Sequence, residues 1–386
     1  MKKIIGYYLF ALMYNICKLL PIKKNNVLCI MTHDDGEGSN VSLVVKALKE
    51  RSYDYSFSYI TKKDTSLIKE GQNFSNIINF FIKKPYQLAR AQVILMDNIF
   101  LPYAYISRRK ASKVIQLWHG TGTIKKFGQD VNTGKLKKLE ERANNNISHL
   151  IVNSEELKKT YGGAFGIDES RIFPIGLPKT DELINRLDRI KKDKTNPDKD
   201  YIYNKYHISK EIKLVLYAPT FRDNEVDNPK VSVQLKELIK NLPDGYELGL
   251  RLHPHVAENI RDLQEKGVHQ LSFEEDVNRV LLATDILITD YSSIVFEYCL
   301  MKCPMIFYPY DLDDFQNKGR GFYHPYESYV PGPIAYTGKE VCDLIKENNF
   351  DYGKIDKFIE DNYQHLDGKA TERLLNLIEK QTIQTY

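Results

Sequence analysis

Short apolar runs rich in β-branched residues recur along the chain, separated by amphipathic or polar segments. Asn26 to Met31, Tyr55 to Ile60, Val93 to Met96, Lys113 to Trp118 and Leu150 to Asn153 read as strands. After the charge-rich segment RLDRIKKDKTNPDKD, Arg186 to Asp200, the pattern restarts with Leu214 to Ala218, Glu247 to Leu252, Ile286 to Thr289 and Met305 to Tyr308. Strands alternating with helical stretches predict doubly wound parallel sheets, an α/β fold in two similar halves with a cleft between them. The charged segment reads as a solvated connector and helix, so the expected division is 1–24, 25–190 and 191–386. No internal repeat or low-complexity tract interrupts it.

The amino terminus, MKKIIGYYLFALMYNICKLLPIKK, departs from this rhythm. Its apolar stretch from Ile4 to Leu20 is broken by Asn15 and Lys18 and falls short of the roughly 20 apolar residues of a spanning helix. A signal peptide would need a small-residue cleavage site, and none follows. Two readings remain: a buried terminal helix, or a monotopic helix at the cytoplasmic face of a membrane. The second is preferred, because Tyr7, Tyr8 and Tyr14 suit the headgroup zone and Lys2, Lys3, Lys18, Lys23 and Lys24 suit anionic lipid. Composition narrows the rest. With 386 residues, 42% hydrophobic and 27% charged, the chain is globular, and 55 Lys+Arg against 51 Asp+Glu leave +4, too mild for a nucleic-acid partner. Its five cysteines have neither zinc spacing nor disulfide density, which fits a reducing compartment.

Candidate chemistry gathers where strands end, which is where open α/β sheets bind ligands. QLWHGTGTIKKFG places Trp118 and His119 after a strand, with Gly120, Thr121 and Gly122 to turn the chain and expose its N–H groups to an anion. LVLYAPTFRD ends a strand in Pro219, Thr220 and Arg222, and GLRLHPH ends one in Arg251, His253 and His255. ILITDYSSIVFEYCL runs through Asp290, Ser292 and Ser293 into an apolar helix. His119 alone reads as catalyst or as structural residue. The serines read as helix caps or as hydroxyls that hold phosphate at a helix N-terminus, and three such strand ends together favour phosphate. Asp290 caps its helix or faces ligand, and Glu297 binds a ribose or pairs with a cation. Arg320, between glycines in KGRGFY, is placed on phosphate, whereas Tyr323 and Tyr326 are assigned to packing. His33, His149, His207, His269, His324 and His365 carry no motif.

The motifs QLWHGTG, YAPTFRD, LRLHPH, ITDYSS and PMIFYPYDLDDFQNKGRGFYHPYESYVPGP, in that order, resemble the CDP-glycerol glycerophosphotransferase family, which builds teichoic acids. The resemblance implies a GT-B-like fold of two Rossmann-type domains and a CDP-glycerol or CDP-ribitol donor. It also implies an undecaprenyl-diphosphate-linked saccharide acceptor and a peripheral place on the cytoplasmic face of the cell membrane. It makes His119 the base for the acceptor hydroxyl and sets His253 on the donor phosphates, with Trp118, Gly120, Thr121, Lys179, Pro219, Thr220, Arg222, Arg251, Asp290, Ser292, Ser293, Glu297 and Arg320 around the substrates. An imidazole titrating near neutrality suits proton removal from a hydroxyl, and phosphoryl transfer otherwise needs positioning and positive charge. No cofactor is required, no metal-ligand spacing is present, and Mg²⁺ accompanying the pyrophosphate is compatible with the pattern.

Two positions depart from the family pattern. Gly122 stands where proline is common, so a more mobile loop is expected. GLPKTD offers Lys179 where arginine is frequent, which keeps the charge and loses the bidentate fork. The length and apolar amino terminus resemble the glycerol-phosphate primase branch. A short polymerase, a ribitol-phosphate transferase, a GT-B glycosyltransferase or epimerase using a UDP-sugar, and a catalytically silent binding module are the alternatives, since fold does not settle chemistry.

Overall fold

The computed structural model describes residues 2–52, 54–66, 74–222, 231–259 and 265–380; Asp223 and the side chains of Lys2, Lys3 and His255 lie outside the described residues. The chain divides into two compact units: Met1–Thr121 with Phe127–Glu182 and Tyr363–Tyr386, and Gly122–Lys126 with Leu183–Asn362.

The first unit holds a six-stranded sheet of β1 (Lys23–Met31), β2 (Ser56–Thr61), β3 (Ala91–Met96), β4 (Lys113–Gln116), β5 (His149–Ile151) and β6 (Ile172–Phe173), ordered β2-β1-β3-β4-β5-β6. Every pairing is parallel. Alternation along β1 sends Val27, Cys29 and Met31 into one apolar layer with Val41, Val44 and Leu48 of helix Asn40–Arg51. Leu28 and Ile30 point into the opposite layer, as a period of two requires. The second unit holds β7 (Lys213–Tyr217), β8 (Tyr246–Leu250), β9 (Val268–Gln270), β10 (Ile286–Thr289) and β11 (Met305–Phe307), again all parallel, ordered β11-β10-β7-β8-β9. The α/β class and parallel sheets are those expected. β6 and β9 were not foreseen: β6 is only two residues long, and β9, Val268–Gln270, is half-buried and makes no apolar run. Strand order reverses direction between β1 and β3 in one sheet and between β7 and β10 in the other, so each has a topological switch point.

Two expectations need correction. The amino-terminal helix, Lys2–Cys17, is not separable from the first unit: Phe10, Ala11, Tyr14 and Cys17 are buried with Phe80, Leu88 and Phe100. Tyr14, expected among lipid headgroups, donates its hydroxyl to the Ser107 carbonyl at 3.1 Å. Second, the carboxyl-terminal helix Ala370–Glu379 belongs to the first unit and not to a 191–386 domain, because Leu374, Leu375 and Ile378 complete the Val27 layer. The charged segment is the helix and largely exposed connector expected of it. It lies in helices Pro178–Asp193 and Pro197–Lys205, where Arg186 pairs with Asp198 and Asp276.

Candidate active site

At the first switch point, Asp97 directly follows β3 and its buried carboxylate accepts the backbone N–H groups of Thr32 (2.9 Å), His33 (3.2 Å) and Asp34 (2.8 Å), the loop after β1. Its carbonyl oxygen lies 3.0 Å from His119 Nδ1. A carbonyl can only accept, so Nδ1 carries the proton and Nε2 keeps its lone pair. Trp118 stands at φ +56°, a strained value for a bulky side chain. The strain is held from both sides: Trp118 N–H donates to Gln116 Oε1 at 2.9 Å, and Asn40 Nδ2 donates to the Trp118 carbonyl at 3.2 Å. Asn40 Oδ1 also accepts the Lys179 N–H at 3.0 Å, which fixes the start of the next helix beside the histidine. Burial, then the neighbouring His33, and Lys179 push the His119 pKa down to about 3, below the near-neutral titration expected of it, so its imidazole is neutral. The Gly120 and Thr121 carbonyls receive Tyr161 Oη and Asn153 Nδ2. Trp118, His119, Gly120, Thr121 and Lys179 therefore form one constellation.

The second switch point uses the same device. Asp290 directly follows β10, and its carboxylate accepts N–H from Thr220, after β7, at 2.8 Å and from Tyr291 at 2.6 Å. Here a cation joins. Arg222 donates to Asp290 at 2.6 Å and, through Nε and Nη2, to both oxygens of Asp311 at 3.0 and 2.7 Å. Burial alone would lower the Arg222 pKa, but Asp290 and Asp311 drive it well up. Arg222, expected on phosphate, is thus committed to two carboxylates and sets the Thr220 loop. Asp290 likewise is not a helix cap, since its oxygens hold the loop.

Ser292 Oγ accepts the Ile294 N–H at a long 3.4 Å, and Ser293 makes no side-chain cap bond to helix Ile294–Tyr298. The capping explanation therefore accounts for little of this pair. His253, after β8, is exposed and stacks on Phe221 at 4.1 Å, which brings it to the Pro219–Thr220 loop. Arg251 is turned partly inward, its Nη1 donating to the Leu271 and Glu274 carbonyls at 3.0 and 2.9 Å. Glu297 is buried and Arg320 is exposed. Tyr326, assigned to packing, also donates its hydroxyl to the Asp290 carbonyl at 3.0 Å.

Gly122–Lys126 packs with the second unit. A Cβ on Gly122 would lie 2.2 Å from the Phe296 ring, so glycine here serves close approach and not the looseness expected of it. Lys125 bridges to Phe322 in antiparallel fashion, Lys126 N–H donates to Gly321, and Lys125 Nζ reaches Thr220 Oγ1 at 3.4 Å. This sets the KGRGFY loop and Lys125 beside the Thr220 turn. Sequence reasoning missed Asp97, Asn40, Lys125 and His33. The signal for Asp97 was available: VILMD repeats the pattern of ILITD, an apolar strand closed by aspartate. Among the described residues no group of three His, Cys, Asp or Glu side chains gathers as a metal site.

Residues 12–380 match the family model of CDP-glycerol:poly(glycerophosphate) glycerophosphotransferases. The chain is 33% identical over 377 residues to a teichoic acid poly(ribitol-phosphate) polymerase of Bacillus spizizenii, an alignment that takes in 96% of this chain and 58% of the polymerase. It is 31% identical over 360 residues to the teichoic acid glycerol-phosphate primase of Bacillus subtilis, covering 88% of this chain and 89% of the primase. A variant of the wall teichoic acid polymerase TagF superposes with a TM-score of 0.78 at 25% identity, over 98% of this chain and 97% of that one. Sequence motifs, two parallel sheets and these matches agree that the chain belongs to the CDP-glycerol:poly(glycerophosphate) glycerophosphotransferase family.

Proposed function

We propose that the chain, on a GT-B-like scaffold, transfers glycerol phosphate from CDP-glycerol to a hydroxyl of an undecaprenyl-diphosphate-linked saccharide, acting as a primase in teichoic acid or related envelope polymer synthesis. The observation that carries this reading is His119, held as the Nδ1–H tautomer by the Asp97 carbonyl with Nε2 left as base. Nε2 takes the hydroxyl proton while the oxygen attacks the phosphorus bearing glycerol. The bond from that phosphorus to the bridging oxygen breaks, CMP leaves, and a phosphodiester remains. In-line displacement of this kind asks the protein for position and charge. In the second unit Thr220, Ser292, Ser293, His253, Lys125 and Arg320 supply hydroxyls and cationic donors for the donor phosphates, with Arg222 and Asp290 setting the loop. Mg²⁺ would arrive with the pyrophosphate.

The same proposal places the protein on the cytoplasmic membrane surface. Ile4, Ile5, Tyr8, Leu9, Leu12 and Ile16 stay exposed on the amino-terminal helix, whose other face is core. Among the described residues no helix is long and apolar enough to cross a membrane, so the contact would be peripheral. Replacing Ile5, Leu12 and Ile16 together by glutamine should abolish sedimentation with anionic vesicles and leave the melt unchanged. Retained sedimentation would move the contact elsewhere.

A second reading, ribitol-phosphate polymerisation from CDP-ribitol, is favoured by the 33% identity to the poly(ribitol-phosphate) polymerase. One assay separates the readings: the protein with CDP-glycerol, CDP-ribitol or a UDP-sugar over a lipid-linked disaccharide, scoring released nucleotide and product mass. CMP and a single added unit from CDP-glycerol support the primase, and a ladder from CDP-ribitol supports the alternative. UDP release overturns both. His119→Ala should lower turnover by about 10²–10⁴-fold and leave donor binding intact.

A further inference from the structure

His33 carries no sequence motif, yet its imidazole lies flat on that of His119, with ring centroids 3.5 Å apart and planes at 5°. Trp118 approaches the His119 ring at 3.9 Å and 34°. At such separations both partners lie over ring faces, and one face has no room for two rings, so His119 is held between them. Asp97 ties the arrangement together, since its carboxylate takes the His33 N–H and its carbonyl faces His119 Nδ1. With both faces covered and Nδ1 engaged, the Nε2 edge is the part of the base left for substrate.

We propose that His33 is a positioning residue for the base: its neutral ring aligns His119, and its neutrality lets His119 take up the acceptor proton. This rests on the assignment of His119 as base. Two stacked imidazolium rings repel, so a proton on His33 opposes a proton on His119. The groups around His33 set when that happens. Burial lowers its pKa, Asp34 raises it, and Lys62 and Lys179 lower it again, so His33 is neutral at pH 7 and above and gains its proton only on acidification. Asp97, the other carboxyl in contact with this loop, has its own pKa pushed up by burial against the three N–H groups it accepts. Lys179 lowers the His119 pKa as well.

The test is the pH profile of turnover with CDP-glycerol, or with CDP-ribitol if that is the donor used, for wild type, His33→Phe, His33→Ala and His119→Ala. Phenylalanine keeps a flat ring that cannot be charged. His33→Phe should hold kcat within about threefold at pH 8 and extend activity to lower pH, whereas His33→Ala should lose about tenfold in kcat at pH 8 with donor KM unchanged. Should His33→Ala fail to fold, His33→Phe alone decides through its acid limb. His119→Ala inactive while His33→Phe keeps the wild-type acid limb overturns the role of His33 alone. An active His119→Ala overturns the base assignment and this inference with it.

Discussion

The two switch points are built alike and defended differently. In each, an aspartate directly after one strand catches the backbone N–H of the loop after its neighbour: Asp97 takes Thr32, His33 and Asp34, and Asp290 takes Thr220. Asp290 is then neutralised by Arg222, which Asp311 grips from the other side. Asp97 has backbone N–H groups for partners, and burial pushes its carboxyl pKa up. A backbone-ligated carboxylate needs no guanidinium partner, and the loop it holds sets the His33 ring on His119. A carboxylate–guanidinium network makes a rigid floor for the Thr220 loop, at the cost of occupying the arginine.

That contrast can be broken most forcefully at Arg222. Arg222→Met strands Asp290 and Asp311, and a broken buried pair costs about 3–5 kcal/mol. Chemical denaturation should show that loss in the second unit's transition, and a loss below 1 kcal/mol would mean that the network is ornamental. Asp97→Asn should cost less, about 1–3 kcal/mol, because it puts an amide N–H₂ against backbone donors and strands no charge. The Asp97 carbonyl survives that change, so the His119 tautomer persists and turnover should fall through looser His33 packing rather than vanish. Equal destabilisation by both variants would erase the distinction between the two sites. The smallest effect is expected from Ser292→Gly with Ser293→Gly. Because the helix makes so little use of these hydroxyls, stability should change by a few tenths of a kcal/mol, while calorimetric affinity for CDP-glycerol falls clearly. Intact affinity with a lowered melt would return the pair to a structural role.

Much of this was legible beforehand. The strands at Asn26–Met31 and Ile286–Thr289 announce themselves because buried parallel strands are continuous apolar runs. His119, His253 and Ser292 could be placed at strand ends for the same reason. Arg222 was misread because charge in a motif does not reveal what it faces; Asp311 lies 89 residues along the chain. Tyr14 was misread because an apolar segment looks the same whether lipid or core covers it. Here core covers one face, and Ile5 and Leu12 stay out on the other.

The sequence by itself determined the α/β class, the parallel strands and the motif residues that stand at their ends, since those depend on local period and on the chemistry of single side chains. Tertiary structure alone decided three things: that His33 lies on His119, that Asp97 selects the tautomer of His119, and that the carboxyl-terminal helix closes the first unit. Each joins residues distant in the chain. The sheet's strand order brings β1 beside β3, and no local pattern encodes that order.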